Sequence, residues 1–193
     1  MDNWLKILEF LKTIEWVKST LRHNWMISWR QESVAEHTWR FVLFFILIQD
    51  IKKYDIDIVK TIKMILIHDI PELIDWDIPG FEKEKNQKKH DENELENAKK
   101  IFWILPKPLD QEYLEIYLEF EEQKSKEARL AKALDKIETN LQHMESWPKY
   151  WSDKERWDHM INYPNKALEK LNEPFITDIW ENIKKEIVKL TYE

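Results

Sequence analysis

A histidine–aspartate pair, His68-Asp69, stands at the end of an apolar segment that has the spacing of a helix. The apolar residues Ile58, Ile62 and Ile65 recur every three or four positions, and Asp69 continues the series. The Asp69 carboxylate is therefore predicted to point inward with the hydrophobic side chains. An ionised carboxylate in that position must be paired, hydrogen-bonded or bound to a cation, because burying it alone is too costly. His68 can offer a neutral nitrogen to the same cation. Two adjacent ligands do not complete a metal site, so the fold must bring further ligands to this point.

The composition limits both the size of the fold and its partners. A chain of 193 residues is long enough for one domain with a substantial core. The net charge of −7 argues against binding to nucleic acid or anionic membranes, which need an extended basic surface. The sequence has no cysteine, which excludes disulfides and thiolate ligands and favours a cytoplasmic location. The longest apolar run, Phe41 to Ile48, is much shorter than a membrane span and is predicted to be a helix buried on all sides.

Helical spacing of apolar residues extends along most of the chain, and strand-like alternation is nowhere sustained. The sequence therefore predicts an all-α fold. Ser33 and Glu36 form a capping-box pattern, which places His37 in the first turn of a helix. The predicted helices cover residues 2–21, 33–52, 57–69, 91–104, 109–122, 125–146, 153–161 and 175–191.

Two residues distant from the His68-Asp69 pair are candidates to complete a metal site. His37 opens one predicted helix, and Asp135 lies beside small residues in another, where a neighbouring helix can approach closely. Two imidazoles and two carboxylates suit a divalent cation with open positions for water and substrate. Taken alone, His37 is more simply explained as a polar first-turn residue, and Asp135 could equally be a salt-bridge partner at a solvated edge.

Three other residues have ordinary interpretations when they are taken one at a time. Glu72 could be an exposed residue of a short helical turn, and Asp77 a turn residue that binds its own backbone. Arg22 could be a surface cation.

Four segments together resemble the HD-domain 5′-deoxynucleotidases, and they occur in the order that this family has. They are residues 32–40 (ESVAEHTWR), 67–72 (IHDIPE), 77–79 (DIP) and 127–138 (EARLAKALDKIE). The resemblance covers roughly residues 5 to 145, and four linked motifs are far more specific than a single histidine–aspartate pair.

The resemblance implies an all-helical HD domain, with the metal site between its central helices. Residues 1–193 would form a single HD domain with a core at about 5–145 and a C-terminal helical extension at about 150–193. The family removes the 5′-phosphate from deoxyribonucleoside monophosphates with a divalent metal, here Mn²⁺, Co²⁺, Fe²⁺, Mg²⁺ or Zn²⁺. A small nucleotide would be the substrate, and relatives are commonly homodimers.

The resemblance also assigns roles to individual residues. Glu72 and Asp77 would act on the attacking water and the leaving group, and Arg22 would bind the substrate phosphate. The metal ligands would be His37, His68, Asp69 and Asp135.

Two alternatives keep the same pocket. One is a non-catalytic HD module that senses nucleotides, although a pure binding module has less use for both Glu72 and Asp77. The other is an HD hydrolase that acts on another nucleotide phosphoester.

The chain has one glycine and eleven tryptophans, an unusual ratio for any globular protein. We hypothesise that the natural genetic code reads UGA as glycine, and that some tryptophans of the written sequence are glycines in the native protein. Trp76 is an example, because the family usually has glycine immediately before the motif aspartate, Asp77.

Overall fold

The protein is a bundle of helices with one small β-hairpin. The structure, a computed structural model, describes residues 2–75, 87–146 and 160–192. The N-terminal part contains α1 (Asn3–Thr13), a 3-10 helix (Ile14–Lys18), β1 (Leu21–Trp25), β2 (Gln31–Ser33), α2 (Val34–Lys52), α3 (Ile58–Ile67) and α4 (Glu72–Asp75). The remainder contains α5 (Gln87–Phe102), α6 (Leu109–Glu122), α7 (Lys126–Glu145), α8 (Met160–Asn162), α9 (Asn165–Leu171) and α10 (Pro174–Tyr192).

Side-chain caps set where three of the longer helices begin. Ser33 caps α2, and its capping box with Glu36 is present as predicted. Asp57 accepts a hydrogen bond from the Lys60 N–H at the start of α3, and Ser125 accepts one from the Ala128 N–H at the start of α7. These caps satisfy N–H groups that have no partner inside the helix, so the chain enters each helix at a defined residue.

The hairpin corrects the prediction of one continuous helix over residues 2–21. The α-helix ends at Thr13, and a 3-10 helix continues from it to Lys18. The chain then forms β1, which pairs antiparallel with β2 so that Leu21 lies opposite Ser33. The alternation in β1 is inverted, since the polar Arg22 and Asn24 are buried while Leu21 is exposed. A search for alternating hydrophobic residues does not detect a strand of this kind.

Other boundaries differ less from the predictions. The all-α class and the helices predicted at 109–122 and 125–146 are confirmed, while α9 was not predicted. The third helix ends at Ile67, so Asp69 lies in the turn after it. Residues 76–86 and 147–159 are outside the described part, and the turn predicted at 77–80 and most of the helix predicted at 153–161 fall there.

The apolar run of α2 is not buried on all sides. Phe41 and Phe45 are fully buried, but Leu43 is 42% exposed and Leu47 is 52% exposed. One face of α2 therefore packs into the bundle, and the opposite face is apolar and open to solvent. No helix among the described residues is both long enough and apolar enough to cross a membrane.

Helix α7 is at the centre of the bundle. It packs against α2, α3, α6, α9 and α10, and also against β1. Leu130, Leu134 and Ile137 on α7 are essentially inaccessible to solvent, as the predicted apolar seam requires. The first turn of α2, the turn after α3 and the middle of α7 converge in this packing, which places three polar segments side by side.

Candidate metal centre

Four side chains meet where α2, α3 and α7 converge. His37 lies in the first turn of α2, His68 and Asp69 follow α3, and Asp135 lies in the middle of α7. His37, His68 and Asp135 are buried, and each contributes one ligand atom to a group whose members lie within 4.8 Å of one another. Residues far apart in the sequence are thus brought together, as the sequence predicted.

Two of the four distances in this cluster are those of ligands that share an ion, and the other two are slightly longer. His37 Nε2 lies 3.3 Å from Asp135 Oδ1 and 3.7 Å from Asp69 Oδ2. His68 Nε2 lies 3.1 Å from Asp69 Oδ1 and 3.8 Å from Asp135 Oδ1. Neighbouring ligands that each lie about 2.1 Å from a metal are about 3.0–3.4 Å apart in octahedral or tetrahedral geometry. The cluster could close around one cation with small movements of its side chains.

The hydrogen bonds of the two imidazoles test whether these residues suit a metal. His68 Nδ1–H donates to the Ile65 carbonyl over 2.8 Å, and His37 Nδ1–H donates to the Glu138 carboxylate. Both Nε2 atoms are buried, and neither has a hydrogen-bond partner among the described residues. With Nδ1 as the donor, each ring presents the lone pair of Nε2 to the cluster once that nitrogen has lost its proton, which is the arrangement that a metal-binding histidine needs.

The two carboxylates of the cluster are ionised. Burial would raise the pKa of Asp69, but its electrostatic interactions with His68 and Arg22 outweigh burial and hold this pKa well below its usual range. Burial opposes ionisation of Asp135 in the same way, and Lys136 and His37 lower its pKa. A cation between these groups would therefore find two full negative charges in a place where water screens little.

The same negative charge acts on His37. Burial and the nearby Arg22 lower its pKa, but Glu138 and Asp135 outweigh them and raise the pKa to about 10. A proton and a metal ion would compete for His37 Nε2, because both are attracted by the same carboxylates.

Glu138 and Arg40 support His37 from behind. Glu138 is fully buried, and its carboxylate accepts one hydrogen bond from His37 and one from Arg40 Nε, the latter over 2.5 Å. Sequence reasoning did not assign this residue a role. Its position three residues after Asp135, and therefore on the same face of α7, is the signal that could have found it.

Glu32 belongs to this support rather than to a second ion site. Burial raises its pKa to about 7, against the opposing effect of Arg22, whose Nε lies 3.4 Å away. Glu32, His37 and Glu138 also form a compact group of ligand atoms. His37 Nδ1 already donates to Glu138, and Arg22 and Arg40 pair with Glu32 and Glu138, so these atoms are engaged in holding His37 and the two arginines.

The structure brings Arg22 to the cluster. Its Nη1 lies 2.7 Å from Asp69 Oδ2, and its Nη2 lies 3.4 Å from Thr139 Oγ1. Glu72 is the first residue of α4 and is buried, so it is not the exposed residue that its type alone would allow. Asp77 lies outside the described residues.

This fold and cluster can be compared with known proteins. The family described as HD domain matches residues 14–173, which is most of the chain. The chain belongs to the HD domain family. All four candidate ligands lie inside the matched part of this HD domain.

Curated relatives of this HD domain share a common name. Human (Homo sapiens) 5′-deoxynucleotidase HDDC2 is 29% identical over 182 residues, which cover 93% of this chain and 85% of the relative. The Mus musculus protein of the same name is 32% identical over 72% of this chain and 69% of the relative. The Schizosaccharomyces pombe 5′-deoxynucleotidase hdd1 is 28% identical over 78% of this chain and 77% of the relative.

Solved structures share the fold of this HD domain. A protein from Magnetospirillum magnetotacticum, described as a predicted metal-dependent phosphohydrolase, superposes with a TM-score of 0.78 at 24% identity and covers 98% of this chain and 95% of its own. The PH0347 protein from Pyrococcus horikoshii superposes with a TM-score of 0.67 at 25% identity, covering 93% and 99%. Likeness at these identities concerns the architecture of the helices.

Proposed function

We propose that this protein is a metal-dependent phosphomonoesterase that releases phosphate from deoxyribonucleoside 5′-monophosphates. One observation carries the proposal most strongly: two buried imidazole Nε2 atoms, without hydrogen-bond partners among the described residues, face the ionised Asp69 and Asp135. The substrate class is supported by the relatives, which are named 5′-deoxynucleotidases and align over most of the chain.

The proposed metal ligands are His37, His68, Asp69 and Asp135. Their nitrogen and oxygen atoms suit Mn²⁺, Co²⁺, Fe²⁺, Mg²⁺ or Zn²⁺, and the sequence offers no thiolate to select a softer ion. When bound, such an ion lowers the pKa of coordinated water and offsets the charge of the phosphate.

Arg22 is proposed to bind the substrate phosphate. Its guanidinium lies at the edge of the cluster and is held by Asp69 and Glu32, so the cation is already oriented before a phosphate arrives. Phosphoryl transfer depends chiefly on positioning and on charge neutralisation around the phosphate oxygens, and a buried arginine serves both.

Two carboxylates are proposed to move protons. Glu72 begins α4 directly after the His68-Asp69 turn, and its backbone N–H donates to the Asp69 carbonyl over 3.2 Å. We assign it to the attacking water, whose proton it would hold or accept. Asp77 is assigned to protonation of the leaving 5′-oxygen, on the strength of the sequence motif alone.

The test is phosphate release from a panel of deoxy- and ribonucleoside 5′-monophosphates. Protein stripped with a chelator is resupplied with Mn²⁺, Co²⁺ or Mg²⁺, and we expect release from the deoxynucleotides only after metal is restored. Asp69→Ala should lose metal binding and turnover together. Asp75→Asn is the control, because this nearby carboxylate accepts a hydrogen bond from Asn97 over 2.7 Å and is not part of the cluster.

Two results would contradict the proposal in different ways. Metal-dependent turnover that persists in Asp69→Ala would refute the site. Silence across the whole panel, with one metal bound per chain, would instead favour a nucleotide-sensing module or a hydrolase of another phosphoester.

We also propose that residues 1–193 form one HD domain, that it assembles as a homodimer, and that it is located in the cytoplasm. The single domain is supported by the packing of α9 and α10 against α7. The C-terminal helix buries Ile176, Trp180 and Ile187 within its own chain, so we assign the partner to the exposed face of α2. The absence of cysteine is consistent with a reducing compartment.

A further inference from the structure

The two carboxylates of the cluster share one pattern: in each, the oxygen nearer to an imidazole Nε2 is not the oxygen that pairs with a cation, although Asp69 Oδ2 also lies 3.7 Å from His37 Nε2. Asp69 Oδ1 lies 3.1 Å from His68 Nε2, and Asp69 Oδ2 lies 2.7 Å from Arg22 Nη1. Asp135 Oδ1 lies 3.3 Å from His37 Nε2, and Asp135 Oδ2 lies 3.0 Å from Lys136 Nζ. Lys136 therefore pairs with Oδ2 of Asp135 in the same way as Arg22 pairs with Oδ2 of Asp69.

The position of Lys136 on α7 does not by itself bring its ammonium to the Asp135 carboxylate. It directly follows Asp135, and neighbouring residues on a helix do not face each other. Its long side chain has to bend back, and a lysine that is free to move loses conformational entropy in doing so. Some other group must hold the ammonium there.

Tyr163 holds it. The Tyr163 hydroxyl lies 2.9 Å from Lys136 Nζ, and the ammonium also lies 4.8 Å from the centre of the Tyr163 ring. A hydrogen bond and a cation–π contact from one side chain define both the distance and the direction of the ammonium. Tyr163 follows α8, in the C-terminal part of the chain to which the sequence motifs gave no role.

We infer that Lys136, anchored by Tyr163, is a positioning residue that makes Asp135 offer a single oxygen to the metal. This inference rests on the proposed function, because it concerns the same ion. It gives the C-terminal segment a part in the site: Tyr163 orients Lys136, and Lys136 orients Asp135.

A carboxylate can bind a cation through one oxygen or through both. With the ammonium in place, Oδ2 is engaged and Oδ1 alone faces His37 and His68. Without the ammonium, Oδ2 is free to turn toward the same point and to take a position that water or a phosphate oxygen needs. A catalytic metal site must keep such a position open.

The inference therefore predicts that removing the Lys136 charge lowers turnover without lowering metal affinity. Lys136→Met keeps much of the length of the side chain and removes its charge. We expect the affinity for Co²⁺ to be kept or increased, since a second oxygen becomes available and a repelling cation is lost. We expect kcat to fall by about tenfold or more, within the range typical of residues that orient metal ligands.

A matched control lies one turn earlier on the same helix. Lys132 pairs with Glu121 over 3.1 Å and lies 4.3 Å from the Phe120 ring centre, so it combines an ion pair with a ring contact. The Phe120 ring lies 5.2 Å from the His68 ring, but the Lys132 ammonium pairs with no carboxylate of the cluster. Lys132→Met should leave Co²⁺ affinity and kcat unchanged.

Tyr163→Phe, which keeps the ring and loses the hydroxyl, should shift both quantities in the direction of Lys136→Met by a smaller amount. Lys136→Arg, which keeps a cation, should recover most of the turnover.

The decisive readouts are the Co²⁺ dissociation constant and the visible absorption of the Co²⁺ protein, together with kcat and KM. A higher coordination number weakens the Co²⁺ bands, so we expect weaker bands in Lys136→Met and wild-type bands in Lys132→Met. This spectral change does not require turnover and would be seen even if the substrate class were wrong.

Three outcomes would overturn the inference. In the first, wild type is active, but Lys136→Met keeps its kcat and its Co²⁺ spectrum, which leaves the proposed function standing. In the second, Lys136→Met loses metal affinity and turnover together, which is the result expected if Lys136 only supports the fold. In the third, the wild-type protein binds no Co²⁺, which removes the metal site and this inference with it.

Discussion

At the scale of the residue, the orientation of His37 depends on Glu138. Both side chains are fully buried, and Glu138 receives hydrogen bonds from His37 Nδ1 and Arg40 Nε. Glu138→Gln keeps the shape and loses the charge, so the imidazole becomes a weaker ligand and Arg40 loses its ion pair with Glu138. We expect the affinity for Co²⁺ to fall by about 10–100-fold, measured by competition with a chelator.

Arg40 offers the control for this prediction. Its Nη1 also pairs with Glu145 over 2.8 Å, and that carboxylate is well exposed. Glu145→Gln should change Co²⁺ affinity little, because a solvated ion pair contributes little energy. Equal losses of Co²⁺ affinity in Glu138→Gln and Glu145→Gln would mean that Glu138 acts through Arg40 and the general charge of the region, not through His37.

The backbone of Trp29 is strained. It has a φ of 68° in the turn between β1 and β2, a conformation that glycine adopts without cost. For a residue with a Cβ atom the left-handed region costs roughly 1–2 kcal/mol. We expect Trp29→Gly to raise the free energy of unfolding by about 1 kcal/mol in denaturant titrations.

Trp39 provides the opposite case, since it is exposed and lies inside α2. Trp39→Gly should lower the free energy of unfolding by roughly 0.5–1 kcal/mol, because glycine is a poor helix former. If both variants lost stability, Trp29 would not be strained.

The strain at Trp29 agrees with the hypothesis that some of the written tryptophans are native glycines. An intact mass of the natural protein that equals the mass of the written sequence would reject that hypothesis.

At the scale of the element, the start of α2 carries a metal ligand. The Glu36 N–H donates to Ser33 Oγ, and His37 follows in the same turn. Ser33→Ala should lower the free energy of unfolding by about 0.5–2 kcal/mol. It should also weaken Co²⁺ binding, because the turn that holds His37 frays.

Ser125→Ala separates these two effects. Ser125 caps α7 in the same way, but Asp135 lies well inside that helix, beyond the reach of fraying at its end. We expect a similar loss of stability with unchanged Co²⁺ affinity. A loss of affinity in both variants would show that metal binding follows overall stability and not the local order of α2.

The elements differ in how far their sequence predicts them. Helices α2, α6 and α7 were predicted within a residue or two, because capping residues and apolar periodicity are local signals. The hairpin was not, because its buried positions are Arg22 and Asn24, whose partners come from elsewhere in the fold. Burial of a polar side chain depends on those distant partners, and local periodicity does not contain them.

The candidate site shows the same division. The sequence identified His37, His68, Asp69 and Asp135, and the structure brings them together, while their role as ligands stays a prediction. Their supporting residues were missed, because a carboxylate such as Glu138 or a lysine such as Lys136 looks like an ordinary polar residue of a helix. Only the packed structure shows which of the many charged residues face the cluster.

At the scale of the whole molecule, one apolar surface is exposed on the described part of the chain. Trp39, Leu43, Leu47 and Ile51 recur every four residues along α2 and are all exposed. They form a stripe about 18 Å long on the face opposite the core. Contiguous exposed apolar surface of this kind commonly marks an interface.

We expect this stripe to form the centre of the proposed homodimer, with α2 packing against its own copy. In a twofold interface each substitution is present twice, so one charge at the centre has a doubled effect. Leu47→Glu should convert the dimer to a monomer in analytical ultracentrifugation and leave the unfolded fraction unchanged. Ile27→Glu, which adds the same charge at an exposed residue outside α2, should remain dimeric.

Wild-type protein that sediments as a monomer at micromolar concentration would contradict the proposal. A dimer that survives Leu47→Glu would place the interface on another surface, and the stripe would then need a different partner.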